Sequence, residues 1–152
     1  LEQAVTVVRN PVDRAISAYR HFVSLQRARY AENHCAKQAH RLKQIEQGFL
    51  PWITKHSHYV KRWQGIHRPQ LFFIRDGGRS HSSSVDYSHT RVFDYSDRES
   101  FWQYTLGFIP KEPHIHKIQD VDPVDLTQSE RDDVMKLFKT DYRIWGEQFG
   151  WR

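Results

Sequence analysis

The sequence predicts an α/β domain, a parallel sheet with flanking helices, and three stretches carry that prediction. Ala4-Val5-Thr6-Val7-Val8 is a short β-branched run, the composition of a central strand covered on both faces. Asn10-Pro11 follows at once as a helix start, with Asn10 placed to cap, Pro11 at the first helical position and Asp13 in the first turn. Gln70-Leu71-Phe72-Phe73-Ile74-Arg75 reads as a second buried strand, closed by the turn signal Asp76-Gly77-Gly78.

Taken in order, the strand–helix unit spans 4–26. Val12, Ile16, Tyr19 and Val23, joined by Ala15 and Phe22, form a stripe at helical spacing, while Arg14, Ser17 and His21 share another face. A helical excursion over 27–65 follows. Its first part, to Gln47, is polar and weakly patterned, and fits a solvated helix as well as a substrate-facing one. After Gly48, Pro51 opens a helix with Trp52, Ile53, Tyr59, Val60 and Trp63 turned inward, ending near Gly65. The strand at 70–75 leads to a loop over 76–95, where Arg79 to His89 is rich in Ser and His and nearly free of large apolar residues. Helices fill 96–152. Ser96 or Asp97 caps one that runs through Phe101, Trp102, Tyr104 and Thr105 until Gly107 stops it. Thr127 and Glu130 form a capping-box pair, and Val134, Phe138, Tyr142, Trp145 and Phe149 continue an inward stripe, with a break expected near Asp141.

At 152 residues with 38% hydrophobic content, the chain is the size of a single domain, 1–152, with one core. Cys35 is the sole cysteine, so neither an internal disulfide nor a thiolate zinc cluster staples the fold. A net charge of +5 favours anionic partners such as nucleotides, nucleic acid or acidic glycans, without choosing among them. No apolar run approaches the ~18 residues of a membrane span. Because the chain enters a buried strand almost at Leu1, an upstream portion is expected, and any targeting signal or anchor would belong to it. The expected setting is a soluble domain, either cytoplasmic or Golgi-lumenal behind such an anchor.

The chemistry is concentrated at the strand–helix junction. Arg9 puts a guanidinium at the strand end, and Ser17 puts a hydroxyl on the following helix, so that both can point at one anion. A guanidinium gives paired charge-assisted hydrogen bonds to phosphate oxygens, and a serine hydroxyl adds another donor. Ser17 lies about 10 Å along the helix axis from Asn10, which sets the phosphate against the helix flank with partial help from the amides at its start.

Arg9-x-Pro11-x-x-Arg14-x-x-Ser17-x-Tyr19 resembles the 3'-phosphate-binding motif of sulfotransferases that use PAPS, 3'-phosphoadenosine 5'-phosphosulfate. The resemblance implies that Arg9 and Ser17 bind the 3'-phosphate of PAPS or of its product PAP, with Arg14 and Tyr19 supporting the helix. It implies a P-loop NTPase-like sulfotransferase fold truncated at the amino end, and transfer of a sulfuryl group to a hydroxyl or amine, a carbohydrate being the first choice of acceptor. Tyr59 to Trp63 with the strand at 70–75, Leu106-Gly107-Phe108, and the terminal helix with Asp141, Tyr142 and Gly146 look like further packing signatures of that family. The family's Pro-Lys-x-Gly-Thr-Thr loop, which holds the 5'-phosphosulfate, has no counterpart here and is expected upstream of Leu1. Its general base usually lies between that loop and the present segment, so no catalytic residue is assigned, and the chain alone is expected to bind nucleotide with little or no turnover.

Other constellations have plainer explanations. His56 with His58 and His114 with His116 have strand-like metal-ligand spacing but lack further ligands, so no metal site is assigned. His21 and His58 fit ordinary surface histidines as well as an acceptor site. Lys61, Arg62 and Arg68 near Trp63, and Lys136, Lys139 and Arg143, fit solvated basic helix faces. They also leave open a rival reading from another class, a non-catalytic basic module for nucleic acid or anionic glycan. On the sulfotransferase reading no stable nucleic-acid partner is expected.

Overall fold

A computed structural model describes residues 4–55, 70, 90–111, 118 and 120–152. Strand β1 (Ala4–Val8) and strand β2 (Thr90–Asp94) pair in parallel, in a register running from Ala4↔Thr90 to Val8↔Asp94. The remaining described elements are mostly helical, so the chain is α/β with a small two-stranded parallel sheet. β2 corrects the loop expected over 76–95. Its sequence, Thr-Arg-Val-Phe-Asp, is short, with two adjacent apolar residues, and its strand character comes from pairing with a partner far away in sequence. The strand expected at 70–75 lies outside the described residues except for Gln70, as do the loop at 76–89 and the helix end near Gly65. No helix among the described residues is long and apolar enough to cross a membrane.

The chain, expected to form one domain, divides into two compact units. The first is assembled from Leu1–Pro11, Arg68–Pro113 and Lys139–Arg152, the second from Val12–His67 and His114–Phe138.

In the first unit Val8, at 1% exposure, packs with Trp145 and Trp151, and Val92, Tyr142, Ile144 and Phe149 close around them. Trp151 is the hub: its ring meets Tyr142 and Phe149 at 6.0 and 5.6 Å, and its Nε1–H donates to Asp94 Oδ2 at 2.6 Å. Val5, Thr6 and Val7 are only half-buried, where full cover on both faces was expected. Among the described residues β1 has one strand neighbour. After β2 a 3-10 turn (Tyr95–Asp97) leads into a helix (Arg98–Leu106). Asp94 accepts from Ser96 N–H and Asp97 from Ser100 N–H, and Gly107 ends the helix at φ +75. That angle suits glycine because an added Cβ would strain the backbone. At the far end of the sequence, Lys139–Asp141 runs into a π turn (Tyr142–Gly146) and then Glu147–Phe149, which is where a break was expected.

The second unit holds most of α1 (Pro11–Glu32), together with α2 (Ala36–Ile45), α3 (Phe49–Lys55) and a later helix (Gln128–Leu137). Pro11 opens α1 as its fixed φ predicts. The helix continues beyond residue 26 to Glu32, since Gln26 to Arg29 are good helix formers and no breaker intervenes. Val12, Ala15, Tyr19 and Val23 are buried along one stripe, and Tyr19 meets Phe49 and Trp52 of α3. Tyr19 stacks edge-on with Phe49 at 5.7 Å and donates its hydroxyl hydrogen to Ile45 O at 3.0 Å. Thr127 and Glu130 form the full capping box, and Val134 and Phe138 are buried, as their spacing predicts.

Candidate anion site at the end of the first strand

Arg9 is the first residue beyond the β1 ladder, where its backbone groups need partners other than a strand. Gln70 supplies them. Its Oε1 accepts from Arg9 N–H at 2.8 Å and its Nε2 donates to Arg9 O at 2.7 Å, an amide clasp on both polar groups of one residue. Gln70 is itself fixed, because its backbone N–H donates to Oδ1 of the fully buried Asp141 at 2.8 Å. The next residue is held too, with the Tyr142 hydroxyl donating to Asn10 Oδ1 at 2.8 Å. The strand end is thus fixed in place by buried side chains, and the base of the Arg9 side chain with it.

The Arg9 guanidinium lies over the ring of Tyr95, Cζ 4.8 Å from the centroid. Register explains the meeting. Val8 pairs with Asp94, so Arg9 and Tyr95 are the residues that follow the same rung of a parallel pair and leave the sheet at the same end. The carboxyl end of a parallel sheet is also where open α/β proteins place their ligands. A second guanidinium reaches the same ring: Arg98 Cζ is 4.9 Å from the centroid, and its Nη1 is 3.5 Å from the hydroxyl it donates to. Tyr95 is 40% exposed, leaving the cluster open to solvent. Asp94 beside it accepts from Ser96 N–H and Trp151 Nε1–H, and Asp97 accepts from Ser100 N–H.

Among the described residues the Arg9 guanidinium has no ion pair. Several other arginines are occupied. Arg20 donates to Ile118 O and Val121 O, Arg27 to Glu46 and to Asp120 O, and Arg131 to Asp13 at 2.9 Å. Arg27 borders a second-unit cleft of about 340 Å³, lined also by Tyr19, Phe49, Val121 and Asp122, and its charge there is already answered by Glu46. The Arg9 fork, by contrast, has no hydrogen-bond acceptor among the described residues.

Of the residues singled out in the sequence, Arg9 belongs to the first unit and Ser17, half-buried on α1, to the second. Ser17 has no hydrogen bond among the described residues. Arg14 lies over the Phe138 ring at 5.9 Å, and Tyr19 is buried against α3, so each packs on its own helix surroundings. His21 is exposed. Lys136 is paired with Asp133 at 2.6 Å, and that hydrogen bond raises its pKa, as in a solvated helix face. His56, His58, His114, His116, Lys61, Arg62, Trp63 and Arg68 lie outside the described residues, and no group of metal-ligating side chains forms among those described.

Tyr95 and Arg98 escaped sequence reasoning because they depend on β2. The signal that could have found them is Val92-Phe93 followed by Asp94 and Asp97, a short apolar pair leading into two capping acids. No family model matches the chain, and neither a curated protein nor a solved structure is similar to it.

Proposed function

We propose that the chain is part of a PAPS-dependent sulfotransferase with the P-loop NTPase-like architecture of that family, and that Arg9 and Ser17 hold the 3'-phosphate of PAPS and PAP. The observation that carries this reading is Arg9 itself. It is the first position of Arg-x-Pro-x-x-Arg-x-x-Ser-x-Tyr, its backbone is clasped by Gln70, and its guanidinium has no ion pair among the described residues.

The reaction is in-line transfer of a sulfuryl group from PAPS to an acceptor hydroxyl or amine, a glycan hydroxyl being favoured. The acceptor oxygen or nitrogen forms a bond to sulfur and gives its proton to a general base outside the residues assigned here, as the bond from sulfur to the phosphate oxygen breaks and PAP leaves with the electron pair. By analogy with phosphoryl transfer, rate comes from positioning and from cations near the leaving group. Arg9 and Ser17 act on the remote 3'-phosphate, so their binding energy orients the donor without touching the breaking bond.

The test is retention on immobilised PAP. Arg9→Ala and Ser17→Ala should each release the chain, with folding checked by circular dichroism. Retention that both variants preserve would refute the assignment. Binding to nucleic acid that falls steeply with salt and ignores both substitutions would instead favour the basic-module reading.

A further inference from the structure

In the second unit α2 returns along α1. Tyr30 and Ala39 border one cavity near the turn, and the Tyr19 hydroxyl meets Ile45 O towards the other end. On α1, Tyr19, Val23, Arg27 and Tyr30 follow at steps of three or four residues, and on α2 Ala39, Leu42 and Lys43 are spaced the same way, so each set is a row on one helix face. Two cavities border these rows, one of about 390 Å³ beside Tyr30, Lys43 and Gln47, the other of about 340 Å³ beside Tyr19, Phe49, Asp122 and Asp125. Glu46 borders both, and every bordering residue belongs to the second unit. The α1 row is about 16 Å long at 1.5 Å per residue, which suits a chain of linked units better than one small molecule.

The polar groups along this groove come from side chains, since helix main chains satisfy their own hydrogen bonds. Tyr30, Lys43, Gln47, Asp122 and Asp125 make no side-chain hydrogen bond among the described residues. Gln26 lies on the same α1 row at 3% exposure, and its buried Oε1 accepts from no group there, a costly state that a donor from outside the fold relieves. Although the chain as a whole is +5, the groove sets two cations, Arg27 and Lys43, against three carboxylates, Glu46, Asp122 and Asp125, a net of −1. Arg27 is moreover paired with Glu46 at 2.9 Å. A polyanion gains nothing from that balance, and a peptide finds no free strand edge between two helices.

We propose that the groove between α1 and α2 binds an uncharged oligosaccharide lengthwise. Each sugar ring brings several hydroxyls, which donate to the carboxylates and the Gln47 carbonyl and accept from Lys43 and the Gln47 amide, and an apolar face that suits Tyr30. The site stands apart from the anion seat at Arg9 and does not rest on the reading of that residue.

The experiment is an NMR titration of the isotope-labelled chain with neutral hexasaccharides of glucose, galactose, mannose, xylose and N-acetylglucosamine, with a heparin hexasaccharide and a lysine hexapeptide as charged comparators. At least one neutral hexasaccharide should shift the amides of Tyr30, Lys43, Gln47 and Phe49 together and bind about tenfold or more tighter than its monosaccharide, because it spans both cavities. Its affinity should change less than about twofold between about 50 and 300 mM salt. Gln47→Ala and Asp125→Ala, one at each cavity and both exposed, should each weaken binding about threefold to tenfold, the scale of one lost hydrogen bond, with the thermal midpoint near the parent value. The proposal is refuted if no neutral hexasaccharide binds, if the shifts fall on other residues, or if both variants bind as the parent does. Tighter binding of heparin or the peptide at the same amides would assign the groove to an ionic partner and overturn it as well. None of these outcomes bears on Arg9, whose test uses PAP.

Discussion

Replacing Gln70 with leucine removes both arms of the clasp on Arg9 while keeping a side chain of similar bulk. The hydrogen bonds lost are the 2.8 Å contact to Arg9 N–H and the 2.7 Å contact to Arg9 O, both part-buried. Each is worth about 1 kcal/mol net, and each backbone group left without a partner at such a position can cost about as much again. The sum is a loss of about 2–4 kcal/mol. For a chain of this size that lowers the thermal midpoint by about 5–15 °C. Gln70→Glu is the sharper variant, because it keeps an acceptor for Arg9 N–H but sets a carboxylate oxygen against Arg9 O. It should destabilise at least as much as leucine although it changes few atoms. The assay is urea unfolding followed by tryptophan fluorescence, since Trp145 and Trp151 lie in the same unit as the clasp. It is paired with titration of the folded variants with PAP, where a loosened Arg9 should cost about tenfold in affinity. Unfolding within about 0.5 kcal/mol of the parent, with unchanged affinity, would refute the idea that the clasp stabilises or aims Arg9.

Gly107→Ala should cost about 1 kcal/mol, since φ is +75 and no atom lies close enough to clash with the new methyl, and Gly107→Asn should cost less; equal stability of all three by chemical denaturation would contradict this. Tyr19→Phe loses the hydrogen bond to Ile45 O and should destabilise by about 1 kcal/mol at pH 8. Burial raises the Tyr19 pKa, so the folded state holds the proton more tightly. The stability this gives is complete below about pH 10 and is lost as pH rises through the folded value, so the gap between parent and Tyr19→Phe should narrow above pH ~10; a constant gap would refute it. The backbone and hydroxyl hydrogen bonds from Thr127 lower the Glu130 pKa, so its contribution is present above the ordinary carboxylate range and lost as pH falls through the depressed value. NMR titration should find that Thr127→Ala moves Glu130 back towards its ordinary pKa, and no movement would mean the capping box is not populated in solution.

The features legible in the sequence are those written locally. Pro11 at a helix start, Gly107 at a helix end, and Thr127 with Glu130 each act through groups within four residues, so their consequence can be read without knowing the fold. The stripe of Val12, Ile16, Tyr19 and Val23 with Ala15 and Phe22 is equally local, and all of it is buried except Ile16 and Phe22, which are half-buried. β2 was not legible, because Thr90–Asp94 is a strand by virtue of β1 and carries little intrinsic pattern of its own. The cluster at Arg9 was legible by half. Arg9 stands out at a strand end, whereas Gln70, 61 positions away, and Tyr95 and Arg98 reach it only through tertiary contact. The last turns of α1 fall in the stretch expected to be helical after residue 26, where no apolar stripe marks them and propensity alone carries the helix.

The first unit draws on three separated stretches, and this has a consequence for synthesis. As the nascent chain emerges, α1 to α3 have neighbours within a short distance and can settle early. β1 is made first but waits for β2, and Val8 waits for Trp145 and Trp151, nearly the whole chain later. During that interval the β-branched β1 lacks its β2 partner, and an unpaired strand of this kind pairs with copies of itself. Chains interrupted before Trp145 should accumulate in inclusion bodies, and slower translation in the cold should rescue yield for the intact chain but not for the shortened ones.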